Sequence, residues 1–112
     1  MNLIRHSLFA LGLIMLLPAA HAQVNAEAAR ALAEKKMCLA CHKMDEKGVG
    51  PALREVAKKY QGVANAQANM IPKLRKGAKG TWGAMAMPPV SKDVSEEELK
   101  TMVAWMLSLS SR

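Results

Sequence analysis

Five consecutive residues, Cys38-Leu39-Ala40-Cys41-His42, constrain this chain of 112 residues more than any other stretch. Cys38 and Cys41 are its only cysteines, and the Cys-x-x-Cys-His spacing is that of a covalent attachment site for c-type haem. Two thiols on one helical turn can each add to a vinyl group of the same porphyrin, which leaves two thioether bonds. The imidazole of His42 then lies under the ring, where it can bind the iron as an axial ligand. The stretch therefore predicts one covalently bound haem.

Other uses of paired cysteines fit the surrounding sequence less well. A thioredoxin-like dithiol is expected after a β-strand in a βαβ unit, whereas helix-forming Ala, Leu, Glu and Lys precede Cys38. A structural zinc site needs a fourth ligand, and the other histidines, His6 and His21, lie in a segment that we expect to be removed. The two thiols could close a disulfide outside the cytoplasm, but the motif indicates that haem takes both.

Residues 1–22 have the pattern of a secretory signal peptide. Arg5 gives a positive charge, an apolar run over 8–17 follows, and residues 20–22 form a small-x-small cleavage site. An uncleaved anchor is disfavoured, because the apolar run is shorter than the roughly 20 residues needed to cross a bilayer. We therefore expect a periplasmic protein without stable membrane insertion, whose mature domain covers residues 23–112.

The mature part is long enough for one small domain. Its only aromatic side chains are Tyr60, Trp82 and Trp105, so a buried porphyrin would supply much of the large apolar surface that the core needs. Loss of Arg5 lowers the net charge from +7 to +6, which favours attraction to an acidic patch on a redox partner. No nucleic-acid partner is expected, because the chain is predicted to be exported and has no basic repeat.

The spacing of apolar residues predicts an all-α domain of about four helices. The first helix is expected to begin after Asn25, a good capping residue, and to run into Cys38. The second and third are predicted over 53–60 and 64–76. Pro72 falls inside the third, where it should cause a kink or a helix that restarts near residue 69.

The segment 77–95 contains too many glycines and prolines for regular structure, and we expect no strand in it. A connection of this length usually carries function in a compact domain. Ser95 then begins the last helix, with Glu98 in the reciprocal position of a capping box.

A methionine sulfur on the far side of the haem would close the iron site that His42 leaves open. Seven methionines lie beyond residue 22. Three fall on apolar helix faces and are expected in the core: Met70, Met102 and Met106. Two are too close to His42 along the chain to reach the far face: Met37 and Met44. Met85 and Met87 remain, and the two prolines after Met87 would stiffen its backbone, which favours Met87 over Met85.

Five stretches together resemble the short bacterial monohaem class I cytochromes c: CLACH, GVGPAL, KYQG, KGAKGTWGAMAMPP and VSEEELKTMVAWML. The resemblance covers nearly all of residues 23–112. It implies a small class I cytochrome c fold, with about four helices around one haem c bonded to Cys38 and Cys41. Members of this family carry electrons in the periplasm to nitrite reductases, peroxidases and terminal oxidases, so the resemblance implies electron transport and no enzymatic activity.

The resemblance also implies a role for each matching residue of this sequence. His42 and Met87 would bind the iron, and the carbonyl of Pro51 would accept a hydrogen bond from the second ring nitrogen of His42. The indole N–H of Trp82 would donate to a haem propionate, and Lys73 would pair with a propionate.

The chain departs from the family pattern at three positions. Ala86 stands where proline is common, and Val90 stands where asparagine is common soon after the paired prolines. That asparagine forms a hydrogen bond near the ligand sulfur, so its absence bears on the reduction potential and on the conformation of the methionine. Pro72 interrupts a helix that is usually continuous. We expect these changes to alter local geometry and to leave the ligation intact.

We therefore expect a monomeric one-electron carrier that exchanges electrons at the exposed haem edge with redox proteins, a cytochrome bc-type donor among them. Four residues are expected to form an apolar docking ring at that edge: Leu39, Met85, Ala86 and Pro88. Three lysines would surround it: Lys43, Lys47 and Lys79. Two alternatives stay open, a haem-based sensor or enzyme with an open iron site, and a haem subunit docked on a larger oxidoreductase.

Overall fold

The structure, a computed structural model, describes residues 25–111. The predicted signal peptide, residues 1–22, lies outside the described residues. Five α-helices and one antiparallel hairpin follow one another along the described part: α1 Ala26–Lys35, α2 Cys38–Cys41, α3 Leu53–Lys59, α4 Ala66–Lys76, β1 Ala78–Gly80, β2 Gly83–Met87 and α5 Glu96–Ser108. A 3₁₀ turn, Leu109–Ser111, extends α5. Within residues 25–111, no helix is long and apolar enough to cross a membrane.

Helix α1 begins where the capping pattern predicts and ends earlier than expected. The side chain of Asn25 accepts a hydrogen bond from the Ala28 amide at 3.1 Å, which confirms the predicted cap. The expectation that this helix runs into Cys38 is wrong, because Met37 has a left-handed backbone with a φ of 68°. That residue turns the chain between α1 and α2, so the cysteines lie on a separate short helix.

Helix α4 is a single element with Pro72 inside it. The prediction that the helix could restart near residue 69 is therefore wrong. Met70 and Ile71, just before the proline, are buried, and α4 packs against α5. This packing supports the helix where the proline removes an amide donor.

The segment after α4 corrects the expectation that it contains no strand. β1 pairs with β2 in antiparallel fashion, with Ala78 opposite Met87 and Gly80 opposite Gly83. Gly80 and Gly83 have φ values of 90° and 115°, a region that residues with a Cβ rarely adopt. The glycines that suggested irregular structure instead permit the tight reversal that lets the two short strands pair.

Helix α5 is the centre of the core. Its predicted capping box is confirmed, because the Ser95 hydroxyl accepts from the Glu98 amide at 3.1 Å and the Glu98 carboxylate accepts from the Ser95 amide at 2.9 Å. It packs against α1, α3 and α4. The core cluster contains these buried side chains: Ala29, Ala33, Leu53, Val56, Ala57, Met70, Ile71, Val94, Leu99, Met102, Val103, Trp105, Met106 and Leu109. The three methionines predicted in the core, Met70, Met102 and Met106, are thus confirmed there.

A lysine at the end of α1 connects it to the start of α5. Nζ of Lys36 lies 3.4 Å from carboxylate oxygens of both Asp93 and Glu98, and the lysine side chain is only 14% exposed. Burial lowers the pKa of Lys36, but its hydrogen bonds to the two carboxylates outweigh this effect and raise it overall. The pKa of Glu98 is lowered, chiefly by the hydrogen bond from the Ser95 amide.

Candidate cofactor site

A large cavity lies beside the helical core. Its volume is about 760 Å³, within the roughly 300–1,000 Å³ of ligand and cofactor pockets. Most of the lining is apolar, and it comes from α2, the loop after it, α3, α4, the hairpin and α5. The walls therefore come from nearly the whole described chain, and they suit a large group with apolar faces.

Helix α2 brings both cysteines to this cavity. Cys38 is half-buried and Cys41 is exposed, and both are free thiols. Burial raises the pKa of the Cys38 thiol, and the charge of Cys41 adds to this effect, while a backbone hydrogen bond opposes it. Two thiols on one turn of helix at the wall of an apolar cavity are the geometry that attachment to a single porphyrin needs.

The imidazole of His42 is oriented by the loop that follows it. Its Nδ1 lies 2.7 Å from the carbonyl oxygen of Pro51. Because a carbonyl only accepts hydrogen bonds, Nδ1 donates its proton to it, and Nε2 is the ring nitrogen left for a metal. The Gly50 amide donates to the carbonyl of Cys41 at 2.9 Å, which folds this loop back under the attachment helix.

Gly50 leaves the space that the His42 ring occupies. A Cβ at this position would lie 2.5 Å from Cε1, 2.9 Å from Nδ1 and 3.1 Å from Nε2 of His42. Contacts below 3.0 Å force a neighbour to move. The ring therefore lies directly against the Gly50 backbone, so this glycine and the Pro51 carbonyl together determine its position.

Met87 and Met85 both line the cavity from β2. Met87 is half-buried, whereas Met85 is 69% exposed. The three core methionines also reach the cavity wall, but they lie on helices and are buried among apolar side chains. Met87 therefore combines a place on the cavity wall, partial burial and a position outside the helical core.

The backbone around Met87 is tightly packed against the end of α4. Gly77 has a φ of 84°, and a Cβ there would lie 2.8 Å from the carbonyl oxygen of Met87 and 3.2 Å from Cδ of Pro89. The Val90 amide donates to the carbonyl of Leu74 at 2.9 Å. These contacts hold Met87 and the residues that follow it against the end of α4.

Trp82 and Lys73 also line the cavity. Trp82 lies in the turn of the hairpin, where its side chain is about one-third exposed, and Nζ of Lys59 lies 5.2 Å from the centre of its ring. This cation–π contact joins the hairpin to α3. The predicted bonds of Trp82 and Lys73 to propionates remain predictions.

The donor groups at the cavity fit a c-type haem. Two thiols, one oriented imidazole and a methionine thioether surround a mostly apolar space, and Lys47, Lys73 and Lys79 add cations to its lining. The thiols are the groups that bond to a c-type haem, the imidazole and the thioether are ligands that its iron takes, and the lysines would balance the charge of its two propionates. Within residues 25–111, no group of three or more His, Cys, Asp or Glu side chains is close enough to bind a metal ion.

Comparison with known proteins agrees with this chemistry. The sequence model of the family described as Cytochrome c matches residues 26–110. Cytochrome c-551 from Pseudomonas aeruginosa is 42% identical over 83 residues, which cover 74% of this chain and 78% of that protein.

Solved structures give the same result. The crystal structure of wild-type cytochrome c552 from Nitrosomonas europaea has a TM-score of 0.68 and 38% identity, over 72% of this chain and 99% of that one. The class 1 cytochrome MtoD from Sideroxydans lithotrophicus has a TM-score of 0.65 and 34% identity, over 78% of this chain and 98% of that one. The predicted small class I cytochrome c fold is thereby confirmed.

Proposed function

The chain belongs to the cytochrome c family, and we propose that it is a one-electron carrier whose iron is bound by His42 and Met87. Membership of this family implies a single haem c, which Cys38 and Cys41 would hold covalently. The observation that carries the proposal is the arrangement of His42, whose Nδ1 donates to the Pro51 carbonyl, in the same cavity as Met87.

The residues of the chain contribute orientation and exclusion of water. When bound, the haem supplies the one-electron couple between ferrous and ferric iron. The Pro51 carbonyl raises the basicity of the His42 ring and fixes its plane. Met87 would supply a sulfur ligand, which would raise the reduction potential and close the iron to small ligands. Because the Pro51 carbonyl holds His42 and the end of α4 holds the backbone of Met87, both ligands would move little during electron transfer.

Trp82 and Lys73 are proposed to bind the haem propionates. Both line the cavity, and Trp82 is fixed by its contact with Lys59. The charge of Lys73 would favour an ionised propionate, and the indole N–H would donate a hydrogen bond to one.

The proposed docking surface consists of apolar groups around the cavity mouth with lysines beside them. Met85, Ala86 and Pro88 are exposed, and Leu39 is half-buried. Lys43, Lys47 and Lys79 are exposed, and Lys43 forms a surface ion pair with Glu46 at 3.2 Å. These lysines would attract an acidic partner at long range, and the apolar groups would then form the short-lived contact.

Charge reversal tests this surface. Lys47→Glu and Lys79→Glu should slow electron transfer to an acidic redox partner and weaken its dependence on salt. Lys100→Glu is the matched control, because Lys100 lies on α5 and is not part of the cavity lining. If all three variants slow the reaction equally, the attraction is not local to this surface.

We further propose that the carrier works in the periplasm as a monomer. The signal pattern of residues 1–22 and the small size of the domain support this location and state. The partners would be redox proteins such as a cytochrome bc-type donor and a nitrite reductase, peroxidase or oxidase as acceptor.

The visible spectrum of the exported protein tests the proposed function. Haem that stays attached after denaturing electrophoresis, with sharp bands in the reduced state and no rapid binding of carbon monoxide, is the expected result. A high-spin spectrum and immediate binding of carbon monoxide would contradict the proposed carrier function and would indicate a sensor or enzyme with an open iron site. Co-purification with a larger oxidoreductase would instead identify a docked subunit.

A further inference from the structure

Residues 88–94, here called the strap, connect Met87 at the end of β2 to the cap of α5. The first two residues of the strap are prolines, which have no amide N–H. The first backbone donor after Met87 is therefore Val90, whose amide donates to the carbonyl of Leu74 in α4 at 2.9 Å. Because a methionine side chain is flexible, the position of its sulfur depends on how firmly this backbone is held.

Arg75, in the last turn of α4, holds the other end of the strap. Its Nη2 donates to the carbonyl of Val94 at 2.7 Å, and its Nη1 lies 3.4 Å from the carbonyl of Ser91. The arginine is half-buried, and Val94 is only 2% exposed. A charged donor at a short distance to a partly buried carbonyl forms a strong hydrogen bond. The planar guanidinium can reach both carbonyls at once.

Lys36, at the end of α1, also contacts the strap, but more weakly. Its Nζ lies 3.5 Å from the carbonyl oxygen of Asp93 and 3.4 Å from the Asp93 carboxylate. Both distances are at the long limit for a hydrogen bond, and the Asp93 carboxylate is 70% exposed. Arg75 therefore contributes the stronger of the two cationic contacts with the strap.

We propose that Arg75 is a positioning residue for the Met87 ligand. It holds the strap against α4 and thereby limits how often the Met87 sulfur leaves the iron. Val90 makes this contact more important, since an aliphatic side chain cannot hold the strap by a hydrogen bond of its own. The inference rests on the proposed ligation by His42 and Met87.

Exchange of the axial ligand tests this role in the ferric holoprotein. Imidazole added in excess can bind only after the sulfur has left, so its binding rate reports the frequency of that event. Arg75→Gln should raise this rate roughly tenfold, which corresponds to ~1.4 kcal/mol. Arg75→Lys should have a smaller effect, because the lysine ammonium keeps the positive charge but lacks the planar guanidinium that donates to both carbonyls. Lys76→Gln, which removes the neighbouring exposed cation of α4, should leave the rate within a factor of two.

Hydrogen exchange separates positioning from a general loss of stability. Arg75→Gln should accelerate exchange of the Val90 amide more than that of the Met102 amide in α5. Equal acceleration at both amides, or equal imidazole rates in Arg75→Gln and Lys76→Gln, would overturn the proposal.

Met87→Ala separates this inference from the proposed ligation. If Met87→Ala leaves the far-red sulfur-to-iron band of the ferric protein unchanged, the proposed ligation fails. If it abolishes the band while Arg75→Gln leaves imidazole binding unchanged, only the role of Arg75 fails.

Discussion

Replacing Gly50 with alanine should destabilise the holoprotein, although the same change is often stabilising elsewhere. The φ of Gly50 is not in the left-handed region, so its backbone conformation is open to alanine. On that ground alone, a less flexible unfolded chain would raise the free energy of unfolding by about 0.4–1 kcal/mol. The sign of the measured change therefore depends on what the added methyl group meets.

The added Cβ would meet the His42 ring at 2.5 Å from Cε1. To reach ordinary contact, the ring or the loop must move by roughly 1 Å, and overpacking of this kind costs about 1–3 kcal/mol. A shift of this size also strains the 2.7 Å hydrogen bond between Nδ1 and the Pro51 carbonyl. The repulsion exceeds the gain from the unfolded state, so we expect a net loss of ~1–2 kcal/mol.

Urea unfolding of the ferric holoprotein measures this loss, and NMR of the His42 Nδ1 proton reports the hydrogen bond directly. The variant should unfold at a lower urea concentration with an unchanged slope, and the Nδ1 proton should shift and exchange faster. An unfolding free energy equal to or above that of the native protein would refute the reasoning. An unchanged Nδ1 proton would refute it as well.

Three further changes have expected outcomes. Gly77→Ala should lower the free energy of unfolding by ~1–3 kcal/mol in urea titrations, because its φ is 84° and its Cβ would lie 2.8 Å from the Met87 carbonyl. Met37→Gly should raise that free energy by up to ~1 kcal/mol, since Met37 is 69% exposed and has a left-handed φ of 68°; an equal or lower value would contradict this. The lowered pKa of Glu98 means that its ionised form stabilises the fold fully above its usual pKa of 4.5 and less as the pH falls through the folded value. The free energy of unfolding of the native protein should therefore exceed that of Glu98→Gln at neutral pH, and the two values should converge as the pH is lowered. A difference that stays constant with pH would show that the ionised Glu98 carboxylate does not stabilise the fold through the Ser95 amide.

The helices and their caps could be predicted because their causes are local. Asn25, Ser95 and Glu98 form the hydrogen bonds that their positions indicate, within three residues of themselves. The core methionines follow from apolar spacing along single helices. Periodicity and capping chemistry were sufficient for these features.

The hairpin and the break before Cys38 could not be predicted in the same way. Gly80 and Gly83 indicate a turn, but only the pairing of Ala78 with Met87 turns the flanking residues into strands. Met37 is a good helix former, and its left-handed backbone has no signal in its residue type. The local propensity of Met37 for a helix is therefore not followed at this position.

The residues that fix the ligands depend on contacts between distant parts of the chain. Gly50 could be recognised as a turn residue from the glycine and proline around it, but its contact with the His42 ring needs the folded loop. Arg75 reaches carbonyls 16 and 19 residues further along the chain, and nothing in its local sequence indicates this. Lys59 beside Trp82 is a contact of the same kind.

The far-red band between sulfur and ferric iron tests the central claim most directly. It should be present in the native holoprotein and in Met85→Ala, and absent from Met87→Ala, which should also bind imidazole at once. The paired variants are a close control, because both methionines lie on β2 and line the same cavity. A band that survives in Met87→Ala, or that disappears in Met85→Ala alone, would contradict the ligation by His42 and Met87.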